Sequence, residues 1–269
     1  MKTIFFVTGI YSALLLGLHC HGVEPPPTAA APSLTTAASL SNDIPVKGYA
    51  LAWSDEFNGS SLDASKWGHR ALGPRRDATN AEECASLDGK GNLLLTTKRK
   101  GGNYLTAMIS TQGKFEAKYG YFECRAQLQK QLGHWSAFWL QSPSIGSIIG
   151  NPRQSGTEID IFEYLRKERD VLHHNLHWDG YQKNHQHVGG RAKVPGLSSG
   201  WHTFGVLWTE SQYVFYVDGK ATWKSQKAVS QRSQYIILSL EVGKWAGEIS
   251  KAKLPDHLIV DYVRVYQKR

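Results

Sequence analysis

Three carboxylates, Glu158, Asp160 and Glu163, fall within the run GTEIDIFEY, Gly156 to Tyr164, close enough to form one acid–base centre. On an extended strand side chains alternate between faces, so Glu158 and Asp160 emerge together while Glu163, of opposite parity, points away. Either Glu163 is an unrelated solvent-facing acid, or the strand carries one extra residue at Ile161 or Phe162. In the second case a β-bulge returns Glu163 to the face of the other two. Two carboxyls on one surface are what glycoside hydrolysis needs. One protonates the leaving oxygen from a raised pKa, and the other acts as nucleophile or base at the anomeric carbon. Indoles suit the same chemistry, because each offers a flat apolar face to a pyranose ring and a free N–H. Trp135, Trp139, Trp178, Trp208 and Trp245 lie in or near strand-like runs, although a core position is the commoner fate of any one tryptophan.

The elements that must position these groups read as strands. Short runs rich in aromatic and β-branched residues alternate with Gly, Asn and Asp breaks, among them NLLLTTK, YFECRAQLQ, HWSAFWLQS, HHNLHW, WHTFGVLWT and YIILSLEV. No long segment of helical period competes with them. Asp218-Gly219 between two alternating runs predicts a tight hairpin over Tyr213 to Trp223, and Ile259 to Gln267 alternates as a closing strand. The expected fold class is all-β, two antiparallel sheets packed as a sandwich. The sequence contains no internal repeat, no phosphate loop and no zinc-like pair of His or Cys with a partner. His173, His174, His185 and His187 are expected at the surface, not as ligands.

The first 21 residues, a lysine followed by an apolar run and then small and polar residues, have the layout of a secretory signal and are short for a membrane span. Cys20 raises lipid anchoring, but His19 stands where a lipoprotein site has a small residue. Residues 22–44 are rich in Pro, Ala, Thr and Ser and too poor in large apolar groups to fold, which makes them a spacer. The folded unit is expected over 45–269, as a secreted, extracellular or periplasmic monomer without room for a second catalytic domain. Beyond the signal only Cys84 and Cys124 remain, and export permits a disulfide between them without requiring one. The formal charge of +8 favours anionic partners such as an acidic polysaccharide or a cell wall. Nucleic acid is disfavoured because the basic residues are dispersed, with no stripe to concentrate them.

EIDIFE, preceded by YGYFECRAQL and GHWSAFWL and followed by HHNLHW, WHTFGVLWT, YVDGK and VDYVRVYQ, resembles glycoside hydrolase family 16 from about Trp53 onward. The resemblance implies a β-jelly roll of two curved antiparallel sheets with a glycan-binding groove on the concave face. It also favours the bulge, since E-x-D-x-x-E is the longer form of the family signature. By this resemblance Glu158 is the nucleophile of an endo-acting retaining β-glycosidase, Glu163 the general acid/base, and Asp160 the residue between them. Trp135 and Trp139 match an aromatic pair lining the groove, with Ser136 where a proline is usual, and His177 and Trp178 follow as substrate contacts. No cofactor is implied for catalysis. Glu56, Gly91 and Asp261 match positions of a structural calcium on the convex side, an oxygen donor set suited to that ion. The polysaccharide is expected to be β-1,3-glucan, the alternative being a marine galactan of the agar, porphyran or carrageenan type. Cell-wall transglycosylation and a glucan-binding module are the weaker readings.

Overall fold

The computed structural model describes residues 44–269, which belong to one compact unit. The signal, Cys20 and all but the last residue of the spacer lie outside the described residues. The first strands in chain order are β1 (Tyr49–Asp55), β2 (Gly68–His69), β3 (Gly73–Arg75), β4 (Ala78–Asn80), β5 (Ala85–Leu87) and β6 (Leu93–Lys100). There follow β7 (Asn103–Ser110), β8 (Gly120–Gln127), β9 (His134–Gln141), β10 (Glu158–Leu165), β11 (Val171–Trp178) and β12 (Gln186–Lys193). The last are β13 (His202–Trp208), β14 (Tyr213–Val217), β15 (Lys220–Ser225), β16 (Tyr235–Val242) and β17 (Asp256–Lys268).

Pairing sorts them into two layers. One sheet runs β2–β7–β16–β9–β10–β11–β12, antiparallel at every step. The other runs β15–β14–β13–β8–β17, with β1 and then β6 on the far side of the long last strand. The β6–β7 hairpin links the layers. This is the expected jelly-roll sandwich, and among the described residues no helix is long and apolar enough to cross a membrane. Phe122, Phe138, Phe162, Phe204, Trp208 and Phe215, all fully buried, fill the space between the sheets. Every residue of β9 and β16 is buried on both faces. One face meets this core and the other lies beneath the side chains of the groove. Cys84 and Cys124 are buried free thiols.

Strand β10 carries the extra residue. Against β9, Asp160 pairs with Trp139 and Phe162 with Phe138; against β11, Asp160 pairs with Asn175 and Glu163 with His173. Ile161 is therefore the inserted residue. Ile159, Ile161, Phe162 and Tyr164 all face the core, so Ile161 and Phe162 are neighbours on the same side. A bulge orphans backbone groups inside the sheet, where an unpaired carbonyl is costly. His174, on β11 opposite the bulge, occupies that gap: its Nδ1 lies 2.7 Å from the Ile161 carbonyl. Its Nε2 sits 3.0 Å from Thr222 Oγ1. Burial lowers this imidazole to about 4, so a neutral ring donates from Nδ1 and accepts at Nε2. The sequence expectation of a surface His174 is corrected. Its parity on β11 is that of Leu172 and Leu176, which face the core.

Candidate active site

The concave face holds a groove of about 910 Å³ whose floor is Glu158, Asp160 and Glu163 from β10, flanked by residues of β9, β11 and β16. Asp160 is 4 % exposed. Burial pushes all three carboxyls up, and neighbouring carboxylates add to it while His177 opposes it at Glu158 and Glu163. Asp160 is raised well above the usual carboxylate range by burial and then by Glu158 and Glu241. Glu163 is pushed up to about 8 by burial and then by Asp160, which leaves it protonated at neutral pH. Its Oε2 accepts from Asn175 Nδ2 at 2.7 Å. Asn175 has room to do so because its partner on β12 is Gly189, where a Cβ would lie 2.1 Å from Asn175 Oδ1.

Glu158 is raised by burial but is the most supported in its charged form. Tyr181 donates to Oε2, and Gln141 Nε2 donates to the same oxygen at 3.0 Å. His177 joins the acids from β11, with Nε2 3.2 Å from Asp160 Oδ2 and 4.0 Å from Glu158 Oε1. Its Nδ1 lies 2.8 Å from His185 Nε2, and the two rings stack. His185 thus lines the groove, not a remote surface as the sequence suggested. His187, exposed, stacks on both. Glu158, Asp160 and His177 are also the one set of potential metal ligands gathered within 4.8 Å among the described residues, and their mutual contacts already account for the cluster.

The aromatic expectations divide. Trp135 and Trp139 both line the groove. Trp135 meets Trp245 edge-on at 5.5 Å and lies 5.2 Å beneath the Arg76 guanidinium, while the Trp139 indole N–H reaches Ser239 Oγ at 3.1 Å. Trp178 is a correction. One residue past His177, alternation turns it to the opposite face, where it packs against the core between the sheets. Ser136, in place of a proline, is buried on the core side and donates to Gln129 Oε1 at 2.6 Å.

Both acidic side chains at the expected calcium position carry an arginine. Arg264 grips the Glu56 carboxylate through both oxygens at 3.0 and 2.7 Å, and Arg125 Nη1 sits 2.5 Å from Asp261 Oδ2. Beside Gly91 lie the Asn58 side-chain oxygen and the Glu56 carbonyl. Asp261 is the one carboxylate expected to bind the ion, with Glu56 and Gly91 giving backbone carbonyls, so a bound calcium would have to displace the Arg125 guanidinium from Asp261.

Sequence reasoning missed Gln141, Asn175, Tyr181, Arg76 and Glu241. Two of these were readable. Gln141 shares the parity of Trp135 and Trp139 and pairs directly with Glu158, and Asn175 shares that of His177. Glu241 takes Arg75 at 2.7 Å and Arg76 at 2.5 Å, a contact across strands distant in sequence.

The chain was compared with known proteins. Residues 75–264 match the family model described as Glycosyl hydrolases family 16. A beta-glucanase of Rhodothermus marinus is 28% identical over 81% of this chain and 85% of its own length. A keratan-sulfate endo-1,4-beta-galactosidase of Sphingobacterium multivorum is 27% identical over 91% of this chain and 61% of its own. Among solved structures, the laminarinase from Flavobacterium sp. UMI-01 superposes with a TM-score of 0.70 at 27% identity, covering 81% of this chain and all of the laminarinase. The bulged acidic strand, the groove above it and a family match spanning most of the fold agree: this chain belongs to glycosyl hydrolase family 16.

Proposed function

We propose that the chain is a secreted, monomeric, endo-acting retaining glycosidase that cleaves β-1,3-glucan. The observation that carries the mechanism is the single inserted residue, Ile161, which brings Glu163 to the groove with Glu158 and Asp160. Glu163, protonated at neutral pH, is suited to give its proton to the departing glycosidic oxygen. Glu158, steadied as a carboxylate by Tyr181 and Gln141, is suited to attack the anomeric carbon. A lone pair of Glu158 forms the ester bond as the glycosidic C–O bond breaks. Water then attacks the same carbon, gives a proton to Glu163 and returns Glu158 to its carboxylate, and two inversions leave the β configuration intact. Asp160, buried beside Glu158 with its Oδ2 3.2 Å from His177 Nε2, supports the pair electrostatically. The glucan follows from the relatives, whose names include beta-glucanase and glucan endo-1,3-beta-glucosidase. The exported location rests on the signal-like first 21 residues.

A second reading, a sulfated galactan, is favoured by Arg70, Arg75 and Arg76 along the groove and by the keratan-sulfate relative. Among the described residues the outer nitrogens of Arg76 take no partner beside Trp135, and a guanidinium fork matches a sulfate. A reducing-sugar screen on laminarin, lichenan, agarose, porphyran, carrageenan and keratan sulfate separates the two. Proton NMR of the first product tests the mechanism, since an initial α-anomer from a β-linked glycan would mean inversion.

A further inference from the structure

The loop after β11 sends a phenol into the catalytic acids. Tyr181 has an exposed ring, 53 % accessible, yet its hydroxyl meets the Oε2 of Glu158. The direction of that hydrogen bond can be counted. A guanidinium only donates, so the Gln141 atom 2.7 Å from Arg70 Nη2 is Oε1, and the Tyr235 hydroxyl donates to the same oxygen. Gln141 Nε2 then has two hydrogens to place. Its N–H faces both Glu158 Oε2, at 3.0 Å, and the Tyr181 oxygen, which are bonded to each other. In this triangle Gln141 Nε2 only donates, which leaves Tyr181 no acceptor but the carboxylate, so the phenolic proton goes to Glu158. Two donors therefore converge on Oε2, whereas among the described residues Oε1 takes no hydrogen bond and is 4.0 Å from His177 Nε2.

We infer that Tyr181 is a positioning residue for the nucleophile, holding Oε2 of Glu158 so that Oε1 is the atom that meets the anomeric carbon. The inference rests on the proposed role of Glu158. In the first step an Oε1 lone pair forms the ester bond, the glycosidic C–O bond breaks, and the leaving oxygen takes the Glu163 proton. Oε2 becomes the ester carbonyl. In the second step water displaces Oε1, and the carboxylate that departs is received by Tyr181 and Gln141. Donors fixed in advance at that oxygen assist the departure.

The loop is built to hold this aim. At Gly146, with φ +77°, a Cβ would lie 2.7 Å from the Gly180 Cα, so the segment 143–151 rests backbone against backbone on the turn before Tyr181. Asp179 Oδ1 accepts from the Gly150 N–H at 3.0 Å and ties the two together. The other charged or titratable groups facing Glu158 are Asp160 and Glu163 on its own strand, His177 on β11, and Tyr235 and Glu241 on β16, the last already paired with Arg75 and Arg76. Arg70 acts through Gln141. None of these groups is altered by removing one phenolic oxygen.

The test is Tyr181→Phe, assayed from pH 3.5 to 9 on the glycan that the parent cleaves and on an activated aryl β-glycoside. Loss of a donor to the carboxylate form raises the Glu158 pKa, so the acidic limb of kcat/KM moves up by about one pH unit, a tenfold loss below it. With the aryl substrate, where ester breakdown limits, kcat and KM fall together by about tenfold. The melting temperature stays with the parent. An unmoved acidic limb with kcat and KM unchanged overturns the inference. Glu158→Gly, assayed alongside with added azide, separates it from the reading beneath: an α-glycosyl azide product identifies Glu158 as the nucleophile whatever Tyr181 does. Hydrolysis by Glu158→Gly at the parent rate would overturn both.

Discussion

The two sheets treat their carboxylates in opposite ways. On the convex sheet two acids meet a guanidinium, Glu56 with Arg264 and Asp261 with Arg125. On the concave sheet Glu158, Asp160 and Glu163 share a buried floor with no lysine or arginine paired to them, only His177, amides and a phenol. Acids crowded together without cations are held near the pH at which proton transfer is useful. The lesson is that the groove floor leaves its three acids without the cations that Glu56 and Asp261 receive.

Breaking the concave cluster gives the largest effects. Glu158→Ala lowers kcat on the natural glycan by at least about 10⁴-fold, since alanine forms no ester, while equilibrium binding of the glycan, read by calorimetry, persists. Glu163→Gln lowers kcat on the same glycan by about 10²- to 10⁴-fold and spares an activated aryl glycoside that needs no proton. The parent's kcat/KM on glycan falls above about pH 8 as Glu163 ionises, and the variant loses that limb.

The same substitution has a stability counterpart with a definite sign. Glu163 titrates at about 8 in the fold, and an unfolded glutamate titrates at about 4.3. The folded state therefore keeps a proton that the unfolded chain releases. That contribution is complete below the unfolded value and is lost as pH rises through the folded one. Glu163→Gln has nothing to lose there, so its melting temperature relative to the parent is higher at pH 9 than at pH 4, which scanning calorimetry at both pH values reads directly.

On the convex side the effects are smaller and structural. Arg264→Ala leaves Glu56 without its partner and costs about 2 kcal/mol, a drop of roughly 6 °C in melting temperature, with kcat unchanged. The smallest effect is expected from chelation. With Glu56 and Asp261 held by arginines, EDTA leaves the melting curve in place, and a marked fall would show that calcium displaces those guanidinium groups.

Much of this was legible in the sequence, for physical reasons. The strands announce themselves by alternation, and the bulge is written in the adjacent apolar pair Ile161-Phe162, since both must enter the core if three acids are to share the other side. The same alternation, carried one residue further along β11, turns Trp178 and His174 away from groove and surface. What the residues did not reveal depends on loop paths and distant pairing. Nothing local aims Tyr181 at Glu158, because that aim is set by contact of segment 143–151 with Gly180. Glu241 reads as an ordinary strand acid until β16 is brought opposite the turn that carries Arg75 and Arg76.

The plug formed by His174 bears on how such a strand could gain or lose its extra residue. Deleting Ile161 would restore a regular β10 with its acids still alternating onto the groove, but it would remove the carbonyl that the imidazole satisfies. A polar ring with one nitrogen unpaired would then be sealed among Phe215 and Trp223. Conversely, inserting a residue into a regular strand exposes a carbonyl that an apolar neighbour could not serve. The two forms are therefore separated by a double change, in which length on one strand and hydrogen-bonding capacity on the next must alter together. A single step in either direction passes through a less stable intermediate.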